Sequence, residues 1–307
     1  MIKFYNHRYI YFAISLTIIL FGIVAAFVNG IQLDIQFKGG TILKYTYSDT
    51  INAESAQTIV EQAVGKATNC QLQSNMAKDE KMLIVSLAGN EALTSQQQEA
   101  VSAALTRAYP HANLELSESL TVEPFIGKRF FTNGMIAIGL SFLLILAYVG
   151  WRFRNIGGLS AGTMAIVALF HDAFIVTAVF IIFKIPLNDS FIAAILTIIG
   201  FSINDTIVIY DRIRENERLL PKKTQPEELV DTSINQSMMR SINTNLAVFV
   251  SIAVIYIFAQ VYDIGSIRSF ALPMMFGTIS GCYSTICIAG PLWTMWQKHK
   301  REGESTI

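Results

Sequence analysis

Hydrophobic and polar positions divide the chain into six long apolar runs and one polar block. The runs fall at Tyr9–Asn29, Phe131–Gly150, Gly158–Phe183, Ser190–Tyr210, Ser241–Ala259 and Ile267–Trp296. Each is long enough, at 1.5 Å per helical residue, to cross about 30 Å of hydrocarbon. Residues 31–128 lie between the first two runs and carry shorter patterns. Thr41–Tyr47 (TILKYTY) alternates and is rich in Thr and Tyr, which predicts a strand. Ala53–Ala67 places Ala56, Ile59, Val60, Ala63 and Val64 on one side of a helix. Cys70–Met76 and Met82–Leu87 predict two strands around the turn Ala77–Glu80. Ser95–Tyr109 predicts a second helix with Thr94 or Ser95 as its cap, and Leu114–Val122 a last strand before Pro124.

The expected fold is therefore a polytopic α-helical membrane protein with six transmembrane helices. Between helices 1 and 2 the order β-α-β-β-α-β predicts an α+β, ferredoxin-like domain. Four regions follow: 1–30, a short terminus and helix 1; 31–128, the α+β domain; 129–296, helices 2–6 with a loop at 211–240; and 297–307, a tail. Composition agrees, with 52% hydrophobic and 15% charged residues and a mean hydropathy of +0.44, outside the range of an ordinary soluble domain. The first run is too long for a signal peptide and lacks an A-x-A site, so an uncleaved anchor is expected.

Charge orients the chain. Lys3 and Arg8 precede the first run, Arg152 and Arg154 follow the second, and Arg212, Arg214, Arg218, Lys222 and Lys223 follow the fourth. Lys298, Lys300 and Arg301 follow the sixth, whereas the opposite short loops hold only Lys184. By the positive-inside rule both termini are cytoplasmic and the α+β domain is extracytoplasmic. The net charge is zero, so no nucleic-acid partner is implied. Cys70, Cys282 and Cys287 form no disulfide or metal-ligand spacing.

The candidate chemistry lies in the apolar runs. Asp172, preceded by His171, and Asp205, preceded by Asn204, sit where a charge costs at least roughly 2.5–3.5 kcal/mol at a helix centre. Burial raises a carboxyl pKa and a nearby cation lowers it, so an acid held between those effects can take up and release a proton. Arg240, at the start of the fifth run, is the nearest candidate cation, and its own charge is permanent. Each group has a structural alternative: Asp205 as a static hydrogen-bond partner, His171–Asp172 as a buried pair, and Arg240 as an anchor at the membrane edge. Asp211 and Glu215 are expected to pair with Arg212, Arg214 or Arg218. His111 is expected on the surface. Gly158–Gly162 and Gly277–Gly281 match G-x-x-x-G and predict close helix packing. Pro221–Arg240 predicts a connector helix with Pro226 in its first turn and Val230, Ile234 and Met238 as an apolar stripe. That stripe would face the bundle or the membrane lipids. There is no P-loop, since Gly65-Lys66-Ala67 lacks the upstream glycine and the hydroxyl residue. No cofactor or enzymatic constellation is expected.

Three stretches resemble the SecD/SecF family of the resistance-nodulation-division superfamily: Gly200–Asn216 (GFSINDTIVIYDRIREN), Ala168–Asp172 (ALFHD) and Tyr148–Phe153 (YVGWRF). The layout of one span, an outer domain and five further spans resembles the SecF half of that family over nearly the whole chain. One position departs: the family usually has Asp-Phe-x-Gly-Gly-Thr after the first span, and this chain has Gln36–Thr41 (QFKGGT). The resemblance implies a subunit in a bacterial plasma membrane that works with SecD, expected here as a separate chain, and with the SecYEG channel. It implies use of a proton or sodium gradient to promote late export of an unfolded polypeptide. It further implies Asp205 as the main ion-carrying acid and Arg240 as its cationic partner, with His171, Asp172 and Asn204 as supporting polar groups. Two other functions stay open: an ion-driven exporter of small molecules or lipids from the same superfamily, and a passive scaffold of the export channel. Exporters of that superfamily typically carry two such halves and larger outer domains.

Overall fold

Gly30 and Pro124 bracket the polar block, and the chain changes character at both. The computed structural model describes residues 2–75, 80–88, 93–221, 224–262 and 264–304. Helix α1 (Arg8–Asn29) ends at Gly30 (φ 69°). A short turn of helix, α2 (Ile35–Lys38), is capped by Asp34, whose carboxylate accepts from Gln36 N. Then follow β1 (Gly40–Tyr47), α3 (Ala53–Val64), β2 (Thr68–Asn75), β3 (Glu80–Ala88), α4 (Ser95–Ala108) and β4 (Glu115–Val122). Met76 and the predicted turn residues Ala77–Asp79 lie outside the described residues.

The sheet order is β2-β3-β1-β4, with every pair antiparallel. Period-two alternation puts Leu43, Tyr45, Leu83, Val85, Leu87 and Cys70 on one buried face, against Ala56 and Val60 of α3 and Val101 and Leu105 of α4. Thr94 and Gln97 close a capping box on α4, and Gly65 in the left-handed region ends α3 three residues before the predicted Ala67. Burial pushes the Cys70 thiol up to about 12, which makes it an inert core residue. His111 is exposed, as expected.

Among the described residues, six helices are long and apolar enough to cross a membrane. Helix α5 (Pro124–Arg152) begins well before the predicted Phe131, because Pro124 at its first turn starts the helix directly after β4. Helices α6 (Gly158–Ile182) and α7 (Asp189–Leu219) follow. The expected connector helix and fifth span are one continuous helix, α8 (Pro226–Val261), since no breaker separates Arg240 from the apolar run. Lys222 and Lys223 lie outside the described residues. Of the predicted stripe, Val230 and Ile234 are buried against the bundle, and Ile234 reaches Gly290. The sixth run is α9 (Gly265–Ser284), a π-helical stretch (Thr285–Ala289) and α10 (Gly290–Glu304). The apolar stretches of α6, α7 and the sixth run are half or more buried, while α1 and the later part of α8 turn apolar side chains such as Leu20, Leu246 and Val254 outward.

Both G-x-x-x-G motifs lie at close helix contacts. A Cβ on Gly158 would collide with the Gly150 carbonyl, and one on Gly277 would sit 2.6 Å from Ile198. The sheet and the helices meet at a joint. Asp34 N donates to Leu187 O (2.9 Å) and Leu187 N to Gln32 O (2.8 Å). Gln36 Oε1 accepts from Asp189 N (3.1 Å) at the start of α7, and Phe37 packs on Phe131 with ring centroids 5.1 Å apart. Asp34 and Gln36, two residues apart, thus serve different helix ends.

Burial raises the Asp34 pKa above the ordinary carboxylate range; the Gln36 N–H partly offsets this, and the Asp189 charge adds to it. Ionised Asp34 therefore opposes folding, and that penalty fades as pH falls through its raised folded value. Asp34→Asn keeps an oxygen for the Gln36 N–H. Its unfolding midpoint in detergent should equal or exceed the parent's at neutral pH, with the gap closing in acid. A gap that widens toward acid contradicts this.

Candidate functional site

Helices α6, α7 and α9 converge on a single carboxylate. Asp172 is completely buried. The Ser202 and Ser284 hydroxyls donate to its Oδ2 at 2.6 and 2.7 Å, and the Ser280 hydroxyl donates to Oδ1 at 2.6 Å. His171 Nδ1 lies 3.2 Å from Oδ1 and 3.4 Å from Ser280 Oγ. These hydroxyl distances fall in the charge-assisted range. The other His171 nitrogen, Nε2, is buried with no hydrogen-bond partner among the described residues. The helix period produces this grouping: Ser280 and Ser284 are one turn apart on α9 and so share a face. Gly281 lets α9 approach, since its Cβ would lie only 3.2 Å from that of Ser202.

A second layer of hydroxyls continues from Ser202. Thr206 Oγ1 donates to Ser202 O (3.1 Å) and lies 3.1 Å from Thr285 Oγ1, which in turn is 3.4 Å from Ser202 O. Thr285 opens the π-helical stretch. Such stretches are rare and are frequently found at functional sites.

Asp205 occupies the same face of α7, three residues beyond Ser202, and is 4% exposed. Its direct partner is Asn245 on α8, whose Nδ2 donates to Oδ2 and also to Ser241 O at 2.9 Å. Arg240 is exposed. Its charge reaches Asp205 through space, but among the described residues no hydrogen bond or ion pair joins them. Asn204 is exposed on the opposite side of α7, as a one-residue step of 100° around a helix dictates. Of the five candidates, the fold thus brings His171 and Asp172 into one network and sets Asp205 beside it, while Arg240 and Asn204 point outward.

Ser280, Ser284 and Asn245 were not among the sequence-derived candidates. Their signal is present but weak: a Ser-x-x-x-Ser step in the last apolar run, and a Ser241-x-x-x-Asn245 step in the fifth. The carboxylates beyond the apolar part of α7 behave as expected, with Arg214–Asp211 at 2.8 Å, Arg212–Glu215 at 2.6 Å and Arg152–Asp211 at 3.1 Å. A groove of about 450 Å³ runs past Asn245 between α8 and α9, lined by Ile242, Leu246, Phe249, Ile279 and Cys282.

Residues 101–299 match the family described as protein export membrane protein SecD/SecF, C-terminal. The chain is 30% identical over 300 residues to the protein translocase subunit SecF of Sebaldella termitidis, covering 98% of this chain and 93% of that protein. It is 32% identical over 289 residues to SecF of Alicyclobacillus acidocaldarius, covering 94% and 90%. Among solved structures it resembles SecDF of Thermus thermophilus, with a TM-score of 0.78 at 28% identity over 97% of this chain. It also resembles SecDF in a super-membrane-facing form, with a TM-score of 0.71 at 28% identity. The chain spans only 39% and 40% of those two SecDF chains.

Ser280→Ala removes one of the hydroxyls that hold Asp172. A hydrogen bond to a charged group contributes roughly 1.5–3 kcal/mol, so thermal unfolding in detergent should show a loss of that order. Ser251→Ala, on the exposed side of α8 where the hydroxyl only returns to Ala247 O, should change little. Equal effects from the two substitutions would mean that the Asp172 network adds no stability.

Proposed function

The chain belongs to the SecD/SecF family of protein-export membrane proteins, and from that premise we propose that it is a non-catalytic accessory subunit of Sec translocation. It spans the bacterial plasma membrane six times with both termini in the cytoplasm, so that the ferredoxin-like domain at 31–128 stands outside. The loop distribution of Lys and Arg supports this orientation. The subunit pairs with SecD beside the SecYEG channel and couples the flow of H⁺ or Na⁺ to late movement of the exported polypeptide. Its match to nine-tenths of the SecF relatives, and to two-fifths of the SecDF chains, supports the role of one half of a SecD–SecF pair.

Asp205 is the principal ion-carrying group in this mechanism. The observation that carries this is its environment: a nearly buried carboxylate on a membrane-spanning helix with, among the described residues, a single amide as direct partner. Gain or loss of an ion there is not blocked by a tight ion pair. Arg240 supplies the fixed positive charge from the edge of the site, and His171 and Asp172 are supporting polar groups, while Asn204 faces away from it. One elementary charge crossing the membrane is worth roughly 2.3 kcal/mol per 100 mV, enough to bias two arrangements of a bundle by a few tens-fold. Helix α7 offers the mechanical link, since it carries Asp205 in its middle and is capped at its start by Gln36, next to β1.

Asp205→Asn preserves shape and removes the titratable charge. With assembly confirmed, gradient-stimulated export should fall to the level seen when the gradient is collapsed. Unchanged stimulation would favour a passive scaffold. Loss of drug or lipid efflux with export intact would favour an exporter.

A further inference from the structure

Asp172 is completely buried, and among the described residues no cationic side chain bonds to it. Among the described residues, its hydrogen-bond partners are three neutral hydroxyls and the His171 ring, and no Lys or Arg pairs with it. His171 Nε2 is buried with no hydrogen-bond partner among the described residues. Tyr283 of α9 lies behind His171, with ring centroids 6.2 Å apart. A carboxylate has about four lone-pair sites, and three hydroxyls and the His171 ring lie against them here.

The unused capacity around Asp172 is of another kind. Each serine hydroxyl that donates keeps two acceptor lone pairs. Ser202, Ser280 and Ser284 therefore surround the carboxylate with oxygen atoms, an arrangement suited to hard cations. Ser284 also has an alternative acceptor for its proton, the Gly281 carbonyl at 3.3 Å. Turning the hydroxyl that way exposes Asp172 Oδ2 and the Ser284 lone pairs to the same point. His171 Nδ1 remains on Oδ1 and orients the carboxylate, as outer partners of metal-binding carboxylates do. The π-helical stretch begins at the next residue, Thr285, so the backbone that carries Ser284 is already departing from regular α-helix.

We propose that Asp172, Ser202, Ser280 and Ser284 bind a small hard monovalent cation of the sodium type. The cation neutralises the buried carboxylate and ties α6, α7 and α9 together, and Ser284 reorients to admit it. Potassium is disfavoured because Gly281 and Ser202 hold α9 and α7 in close contact. This site differs from Asp205, whose direct partner is an amide N–H donor. It extends the ion-coupling role proposed above and rests on that role only for its meaning in export.

The test is thermal unfolding of the purified chain in lipid nanodiscs, with Na⁺ replacing K⁺ or choline at constant ionic strength. A saturable, Na⁺-specific rise in midpoint is expected for the parent and for Ser251→Ala, whose hydroxyl only returns to Ala247 O. It should vanish in Asp172→Asn and need several-fold more Na⁺ in Ser284→Ala. Should Asp172→Asn not fold, Ser280→Ala and Ser284→Ala keep the charge and still report on the site, and unchanged half-saturation in both overturns the proposal. An equal response to K⁺, or a Na⁺ response lost in Asp205→Asn and kept in Asp172→Asn, also overturns it. Failure of Asp205→Asn in the export assay bears only on the coupling role of Asp205.

Discussion

A carboxylate with no water around it must be met by donors from the protein, and in this bundle that requirement is concentrated at Asp172. A charge at a helix centre in hydrocarbon is costly, and an unpartnered one inside the protein is costlier still. The donors come from Ser202 on α7 and from Ser280 and Ser284 on α9, together with the neighbouring His171. Hydroxyls are short, so they reach the carboxylate only if the helices approach closely. The small residues serve that approach, with Gly277 against Ile198 and Gly281 against Ser202. The serines and the glycines of α9 are thus two parts of one packing solution.

Asp205 shows the contrasting arrangement on the same face of α7. It has one amide partner and the distant field of Arg240, where Asp172 has a closed ring of donors. Saturation makes an acid structural unless something enters the ring, while sparse pairing leaves an acid free to change its charge. Ser202 lies one turn from Asp205, so the two acids are joined through one face of α7. The joint at Asp34, Gln36 and Leu187 ties the start of α7 to the root of the sheet.

Much of this was legible from local patterns. The apolar runs located the six long helices, and alternation with helical period located the four strands and two helices of the sheet domain. The boundaries that shifted did so for local reasons. Pro124 starts α5 directly after β4, and the absence of a breaker after Arg240 merges the connector with the fifth span into α8. The site was only half legible. Its acids stood out because charge is rare in apolar runs. Their partners did not, because Ser and Asn are unremarkable there and each gains meaning only from the helix opposite.

Sequence alone determined where the apolar runs lie, which residues place carboxyl groups inside them, and the family to which the chain belongs. Those facts depend on residue identity and on the pitch of a helix, both of which are local. Tertiary structure decided that Asp172 gathers three serines, that Asn245 rather than Arg240 touches Asp205, and that Asn204 faces outward. These depend on how α6, α7, α8 and α9 cross and rotate against one another, and a crossing is the joint product of side chains far apart in the chain.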